Sequence, residues 1–213
     1  YKRGTWWVQD FSSSFPLINI EKSLLSKSNI DLCAAPGGKS FQILSKNKKI
    51  TLNDKNKARL KILRENLNRL NYKAKITNYN LNKKNKLKKY DFIILDAPCS
   101  SVGTIRKNPE IFFRKQEPNY EDIINTQRLM LENASKILNS DGIILYMVCS
   151  FIKSETTDQI DYFLKKNQDF SVRKFFSDTK NDEYTSLIKE SYMLTIPTHI
   201  NGYNIDGYFA VYL

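Results

Sequence analysis

Two of the three cysteines in this chain stand where an apolar run gives way to polar residues. Cys99 follows FIILDAP, just behind Asp96, and Cys149 follows GIILYMV; a serine comes after each. Free cysteine is among the most buried residue types and usually behaves as a small hydrophobe. That reading suits Cys33, inside the apolar run SNIDLCA. A thiol at the end of a strand is different, because it faces whatever lies beyond the sheet. As a thiolate it can split one difficult step into two easier ones, and a carboxylic acid such as Asp96 can handle a proton beside it. A thiol pair could instead ligate a metal, but no further cysteine completes a site and the lone His199 lies far along the chain. No metal is expected, and His199 reads as structural or surface.

For Cys99 and Cys149 to meet, the runs that carry them must be neighbours in one sheet. Residues 28–34, 48–54, 74–80, 90–97 and 141–150 read as five strands. Between them, residues 40–47, 55–70 and 121–138 read as helices, the second with Leu60, Leu63, Leu67 and Leu70 at helical spacing. A further helix over 154–167 opens on a capping-box-like Ser154 and Thr157. YMLTIPT and GYFAVYL resemble a final antiparallel pair, and the Lys-rich run 80–90 reads as a solvated connection. Alternating strands and helices imply an α/β fold whose sheet is mainly parallel, with an antiparallel carboxyl-terminal strand. Ligands bind such sheets beyond the carboxyl ends of the strands. There the chain carries CAAPGGK, Asp54, Asn80, DAPC and VCS.

DLCAAPGGKS is a strand followed by a turn with adjacent Gly37 and Gly38. Such glycines permit positive φ and close approach to a ligand. The spacing is neither GxGxxG nor GxxxxGK[ST], so both the dinucleotide fingerprint and the phosphate loop fail. Asp54, at the end of the second strand, can accept the hydroxyls of an adenosine ribose, or it can cap a helix beginning at Lys55. A nucleoside held without a pyrophosphate turn points to S-adenosylmethionine.

Two thiols near a methyl donor suit one reaction. Carbon 5 of cytosine is a poor nucleophile, but addition of a thiolate at carbon 6 makes it enamine-like and able to take a methyl group. Asp96 is placed to protonate or hydrogen-bond ring nitrogen 3. The second cysteine can serve as, or assist, the base that removes the carbon 5 proton. Residue types alone leave open which thiol attacks.

DLCAAPGGKS, LDAPCSSVGTIRKNPE, VCSF with the SE that follows, and DGYF together resemble the NOP/Sun family of RNA cytosine-C5 methyltransferases, nearest to the bacterial 16S rRNA Fmu/Sun (RsmB-like) branch. The likeness runs from WVQDFSSS to the carboxyl end. It implies a class I, Rossmann-like methyltransferase fold and S-adenosyl-L-methionine as cofactor. It implies Cys149 as nucleophile and Cys99 as the thiol that helps release product. Cys33, Ala34, Ala35, Pro36, Gly37, Gly38 and Lys39, with Asp54, Asn80 and Asp96, would line the methyl-donor site, and Arg106 with the segment 108–110 would lie near the base or its strand. Asn80 stands where the family usually has Asp, which implies weaker hold on the adenine amine, and Val148 replaces a usual Thr. The NusB-like or other amino-terminal RNA-binding domain common in this branch has no counterpart in these residues.

The 213 residues suffice for one catalytic domain spanning 1–213, and 34 Lys plus Arg against 22 Asp plus Glu leave a net charge of +12. That surplus suits a polyanionic partner, nucleic acid first and an anionic membrane second; the resemblance implies RNA, ribosomal RNA in this branch, with Arg106, Lys107, Arg114 and Lys115 as the candidate phosphate-holding cluster. No run approaches the roughly 20 apolar residues of a membrane span. Three cysteines suit a reducing compartment, so a cytoplasmic monomer is expected. The chain begins at Tyr1, which suits a fragment or a trimmed product. Two alternatives stand beside this reading. A DNA cytosine methyltransferase would need Cys99 alone, and a non-catalytic RNA-binding or ribosome-assembly factor would keep the fold without the chemistry.

Overall fold

A computed structural model describes residues 1–18, 20, 23–26, 28–81, 88–175, 186–189 and 191–213. Most of the Lys-rich run, 82–87, therefore lies outside the described residues; Lys88 and Lys89 are exposed. Helix α1 spans Phe11–Ile18, then β1 Asn29–Asp31, α2 Gly38–Ser45, β2 Thr51–Asn53, α3 Lys57–Arg69 and β3 Lys75–Thr77. Strand β4 (Tyr90–Asp96), α4 (Tyr120–Lys136), β5 (Leu138–Val148) and α5 (Thr157–Lys166) follow. The chain ends in β6 (Ile188–Lys189), β7 (Tyr192–Thr195), β8 (Thr198–Ile200), β9 (Tyr203–Ile205) and β10 (Tyr208–Tyr212).

Among the described residues these form an eight-stranded sheet in the order β3-β2-β1-β4-β5-β10-β7-β6. Strands β1 to β5 pair in parallel, while β10 runs antiparallel to both β5 and β7, as the sequence pattern leads one to expect. The central strands are buried on both faces, the condition of a parallel sheet covered on each side. Phe92, Ile94, Leu145 and Met147 pack toward α1, α2 and α3, whereas Ile93, Leu95, Ile144 and Tyr146 pack toward α4 and α5. Each such side chain contributes about 1.5–3 kcal/mol on burial. Helix α1 is fastened to the far end of the chain, where Ser12 Oγ donates to Asp206 O (2.7 Å) and Tyr212 Oη donates to Pro16 O (2.5 Å).

Several boundaries differ from the periodicity. Strand β1 stops at Asp31, so Cys33 lies in the turn beyond it and not inside the strand. Helix α3 begins at Lys57, because Asn56 is its cap: Asn56 Oδ1 accepts from Ala58 N (2.9 Å) and Arg59 N (3.2 Å). Asp54 is thereby relieved of capping that helix. Strand β5 starts already at Leu138, where it pairs with Tyr90 and cuts the preceding helix short. Ser154 caps nothing; it sits in a 3-10 turn, and α5 starts at Thr157 without a side-chain cap. Strands β8 and β9 form a hairpin around Asn201 and Gly202, both at positive φ. The Asn-Gly pair is a strong hairpin signal that the periodicity reading passed over. His199 lies exposed on that hairpin, its Nδ1 paired with Asn204 Oδ1 at 3.0 Å. No helix among the described residues is long and apolar enough to cross a membrane.

Candidate active site

Parallel pairing of β4 with β5 sets Asp96 opposite Met147, so the two chains leave the sheet side by side. Two residues or so later the thiols meet, with Cys99 Sγ 3.3 Å from Cys149 Sγ. Ser101 Oγ stands 3.5 Å from Cys149 Sγ and 3.9 Å from Cys99 Sγ. Ser101 holds φ at 62°, a left-handed conformation uncommon outside glycine and frequent at functional sites. The backbones also lock together: Gly103 N donates to Cys149 O (3.0 Å), and Gly207 N to Gly103 O (2.8 Å). A Cβ on Gly103 would come within 2.0 Å of Gly207 O, so only glycine admits this seam.

The two thiols ionise unequally. The hydrogen bond from Cys99 lowers the pKa of Cys149 against the opposing effect of burial and the charge of Asp96, and Ser101 and the Lys39 charge add to the lowering. Donating that bond and being buried raise Cys99 well above an ordinary thiol. The additional donors converge on Cys149, so of the two thiols it is the one that ionises more readily.

Glu155, fully buried, fastens both thiol-bearing turns. Its carboxylate accepts from Ser100 N (2.8 Å), Ser100 Oγ (2.5 Å), Ser150 Oγ (2.9 Å) and Gln127 Nε2 (3.1 Å). The SE pair after VCSF carries this residue, but nothing local in the sequence marks it as reaching both turns.

Asp96 meets the same cavity with both oxygens already accepting: Oδ2 from Lys39 Nζ (2.7 Å) and Oδ1 from Tyr208 Oη (2.8 Å). Burial works against the charge of Lys39, but Asp96 outweighs it and raises the lysine pKa. The hydrogen-bond donor that Asp96 holds in the cavity is thus Lys39. Tyr208, buried and raised well above an ordinary phenol chiefly by burial, was visible in DGYF without its role being so.

A cavity of about 590 Å³ runs over Trp7, Gln9, Asp10, Lys39, Cys149, Asp206 and Tyr208. A second, of about 300 Å³, runs over Cys33, Asn53, Asp54, Asn80, Asp96, Pro98 and Cys99. Cys33, Asp96 and Cys149 border both, so the two chambers meet at the thiols. In the smaller one Asp54 is 2% exposed, and its Oδ1 accepts from Asn56 N (2.8 Å). Its Oδ2 is buried without a hydrogen bond, 3.4 Å from Arg59 Nη1. An acceptor left open at a buried carboxylate fits a ribose hydroxyl. Gly37, at φ 121°, lets the turn pass over Phe41; a Cβ there would fall 2.0 Å from that ring. Asp31 ties β1 to α2 by accepting from Ser40 Oγ (2.6 Å), and burial pushes its pKa up to about 7. Ala34 and Ala35 are buried under this turn, and Pro36 and Gly38 line the larger cavity.

The four basic residues read as a phosphate-holding cluster are not equivalent. Arg106 Nη2 lies 2.9 Å from both Asp10 and Asp206, and Lys107 Nζ lies 2.8 Å from both. These two cations neutralise buried carboxylates and tie the amino-terminal segment to the loop before β10. Arg114 Nη1 donates to Ser100 O (3.2 Å), and Lys115 is exposed. Among the described residues no group of three or more His, Cys, Asp or Glu side chains is placed to hold a metal ion.

Known proteins resemble this chain over most of its length. The family described as 16S rRNA methyltransferase RsmB/F matches residues 24–213. Ribosomal RNA small subunit methyltransferase B of Shewanella oneidensis is 31% identical over 84% of this chain and 41% of its own. The 25S rRNA (cytosine-C(5))-methyltransferase nop2 of Schizosaccharomyces pombe is 31% identical over 100% of this chain and 37% of its own. The chain thus spans about two fifths of the length of these relatives. NSun6 from Pyrococcus horikoshii, solved with SFG, an S-adenosylmethionine analogue, superposes with a TM-score of 0.80 at 25% identity, over 99% of this chain and 53% of that one. This chain belongs to the RsmB/F family of 16S rRNA methyltransferases.

Proposed function

We propose that this chain, as one catalytic domain over 1–213, methylates carbon 5 of a cytosine in RNA, specifically ribosomal RNA, through a covalent bond between Cys149 and the base. The observation that carries this reading is the pair of sulfurs 3.3 Å apart, at the meeting of two chambers. Asp54, with Asn80 and the 33–39 turn, would hold S-adenosylmethionine in and beside the smaller chamber. When bound, that cofactor supplies an electrophilic methyl group.

The steps assigned to the chain follow from its charges. The Cys149 thiolate adds to carbon 6, forming an S–C bond and pushing the ring electron pair toward carbon 5 and the N3–O2 side. Asp96 holds the Lys39 ammonium where it can meet that developing charge, and its own carboxylate can accept from the exocyclic amine. Once Cys149 is a thioether, it no longer accepts the hydrogen bond that kept Cys99 protonated. Cys99 can then ionise, take the carbon 5 proton, and let the ring electrons expel Cys149 as thiolate. The hydrogen-bonded pair is restored, and one proton is released per methyl transferred.

Mutation of Cys149 to Ala is expected to abolish incorporation of labelled methyl groups into ribosomal RNA while S-adenosylmethionine still binds. Retention of full activity in that variant would overturn the assignment.

A further inference from the structure

Directly beyond Asn108, a 3-10 turn spans Pro109–Phe113 and presents Phe112 and Phe113 to solvent at 72% and 82% exposure. A single exposed aromatic needs no explanation, but two adjacent phenylalanines on a pinned turn do. The front of the turn is held to the wall of the larger cavity, which includes Thr104, Lys107 and Asn108. Asn108 Nδ2 donates to Thr104 Oγ1 (2.8 Å), and Ile111 N donates to Asn108 O (3.1 Å). Its rear is held by Arg114, which donates to the carbonyl of Ser100, the residue after Cys99. The turn that carries the two rings is therefore tethered at both ends to the loop that follows Cys99. Arg114 and Lys115 follow them, both exposed, with Glu110 before and Glu117 after, in a chain of net charge +12.

A cytosine that enters a buried cavity must leave its stack, and its neighbours in the strand lose a stacking face as it goes. Exposed aromatic faces beside cationic side chains are how proteins replace that face for single strands. Resting on the reading that this chain acts on RNA, we propose that Phe112 and Phe113 form a stacking platform for the nucleotides flanking the target, while Arg114 and Lys115 meet their phosphates. The platform reads unpaired RNA without base preference, since every base offers a π-face.

The test is fluorescence anisotropy of the whole chain with a labelled single-stranded RNA of roughly 12 nucleotides, within the usual site sizes. Phe112→Ala with Phe113→Ala should weaken binding by about tenfold or more, given roughly fivefold to a hundredfold per stacked base. Leu at both positions should weaken it likewise, and Trp at both should restore it. These variants should melt with the parent and keep its salt slope, whereas Arg114→Ala with Lys115→Ala should lower that slope. Wild-type affinity in the Ala pair, or in the Leu pair, would overturn the platform. If the parent transfers no methyl group yet binds RNA through these rings, the activity reading fails and the platform stands.

Discussion

The carboxylate of Glu155, on the loop after β5, accepts both the backbone N–H and the hydroxyl of Ser100, on the loop after β4, at 2.8 and 2.5 Å. Ser100 follows Cys99, and Ser150, which also donates to Glu155, follows Cys149. One buried side chain therefore sets the spacing of the two sulfurs without touching either.

Replacing Glu155 with Ala would leave several buried donors without acceptors, at about 1–3 kcal/mol each where water does not enter. A loss of roughly 3 kcal/mol or more is expected, which for a chain of this size lowers Tm by about 6–12 °C. Calorimetry reads the stability, and iodoacetamide labelling below the unfolding range should show Cys149 slower to react because Cys99 no longer lies at hydrogen-bond distance. An unchanged Tm with unchanged labelling would show that the carboxylate does not hold the turns.

Removing the Cys99 thiol acts on both halves of the cycle. Cys99→Ala takes away the hydrogen bond that favours the Cys149 thiolate, so the pH midpoint of Cys149 alkylation should move up toward the ordinary thiol value near about 8.5. It also removes the proposed base, so a protein–RNA adduct should accumulate and survive denaturing electrophoresis. A midpoint that stays put would mean that Cys149 owes its reactivity to Lys39 and Ser101.

Asp31 should make stability fall as pH rises. Its folded pKa, raised to about 7 by burial, exceeds the unfolded value near about 3.9, so the folded chain binds more protons between them. Its favourable contribution is whole below pH of about 4 and is lost as pH climbs through about 7. Denaturant titrations should show Asp31→Asn gaining on the parent across that window, by up to a few kcal/mol. Parallel curves for the two chains would remove Asp31 as the titrating group.

The open oxygen of Asp54 predicts a cofactor effect measurable by calorimetric titration with S-adenosylmethionine. Asp54→Ala should weaken binding by about tenfold to a hundredfold, the scale of losing a charge-assisted hydrogen bond. Asn80→Asp should strengthen it several-fold, since an ionised acceptor holds an amine more firmly than an amide does. Equal affinities across all three chains would place the nucleoside elsewhere.

Much of this was legible in the chain itself. Apolar runs ending in DAPC and VCS, separated by helical periodicity, were enough to place two thiols at neighbouring strand ends, because strand and helix periods are carried by residues close in sequence. The same locality explains what was misjudged. Asp54 and Asn56 both suit a helix cap, and only the backbone's path gave that task to Asn56 and left Asp54 an open oxygen. Arg106 and Lys107 read as cations free for phosphate until the fold brought Asp10 and Asp206, nearly the whole chain apart, against both.

Residue order alone determined an α/β sheet, a glycine turn and the two strand-end cysteines. Which sulfur ionises more readily was decided only in three dimensions. A pKa is set by every donor, charge and apolar wall within a few ångströms, and around Cys149 these come from the start of α2, from β4 and its loop, and from β5's own end.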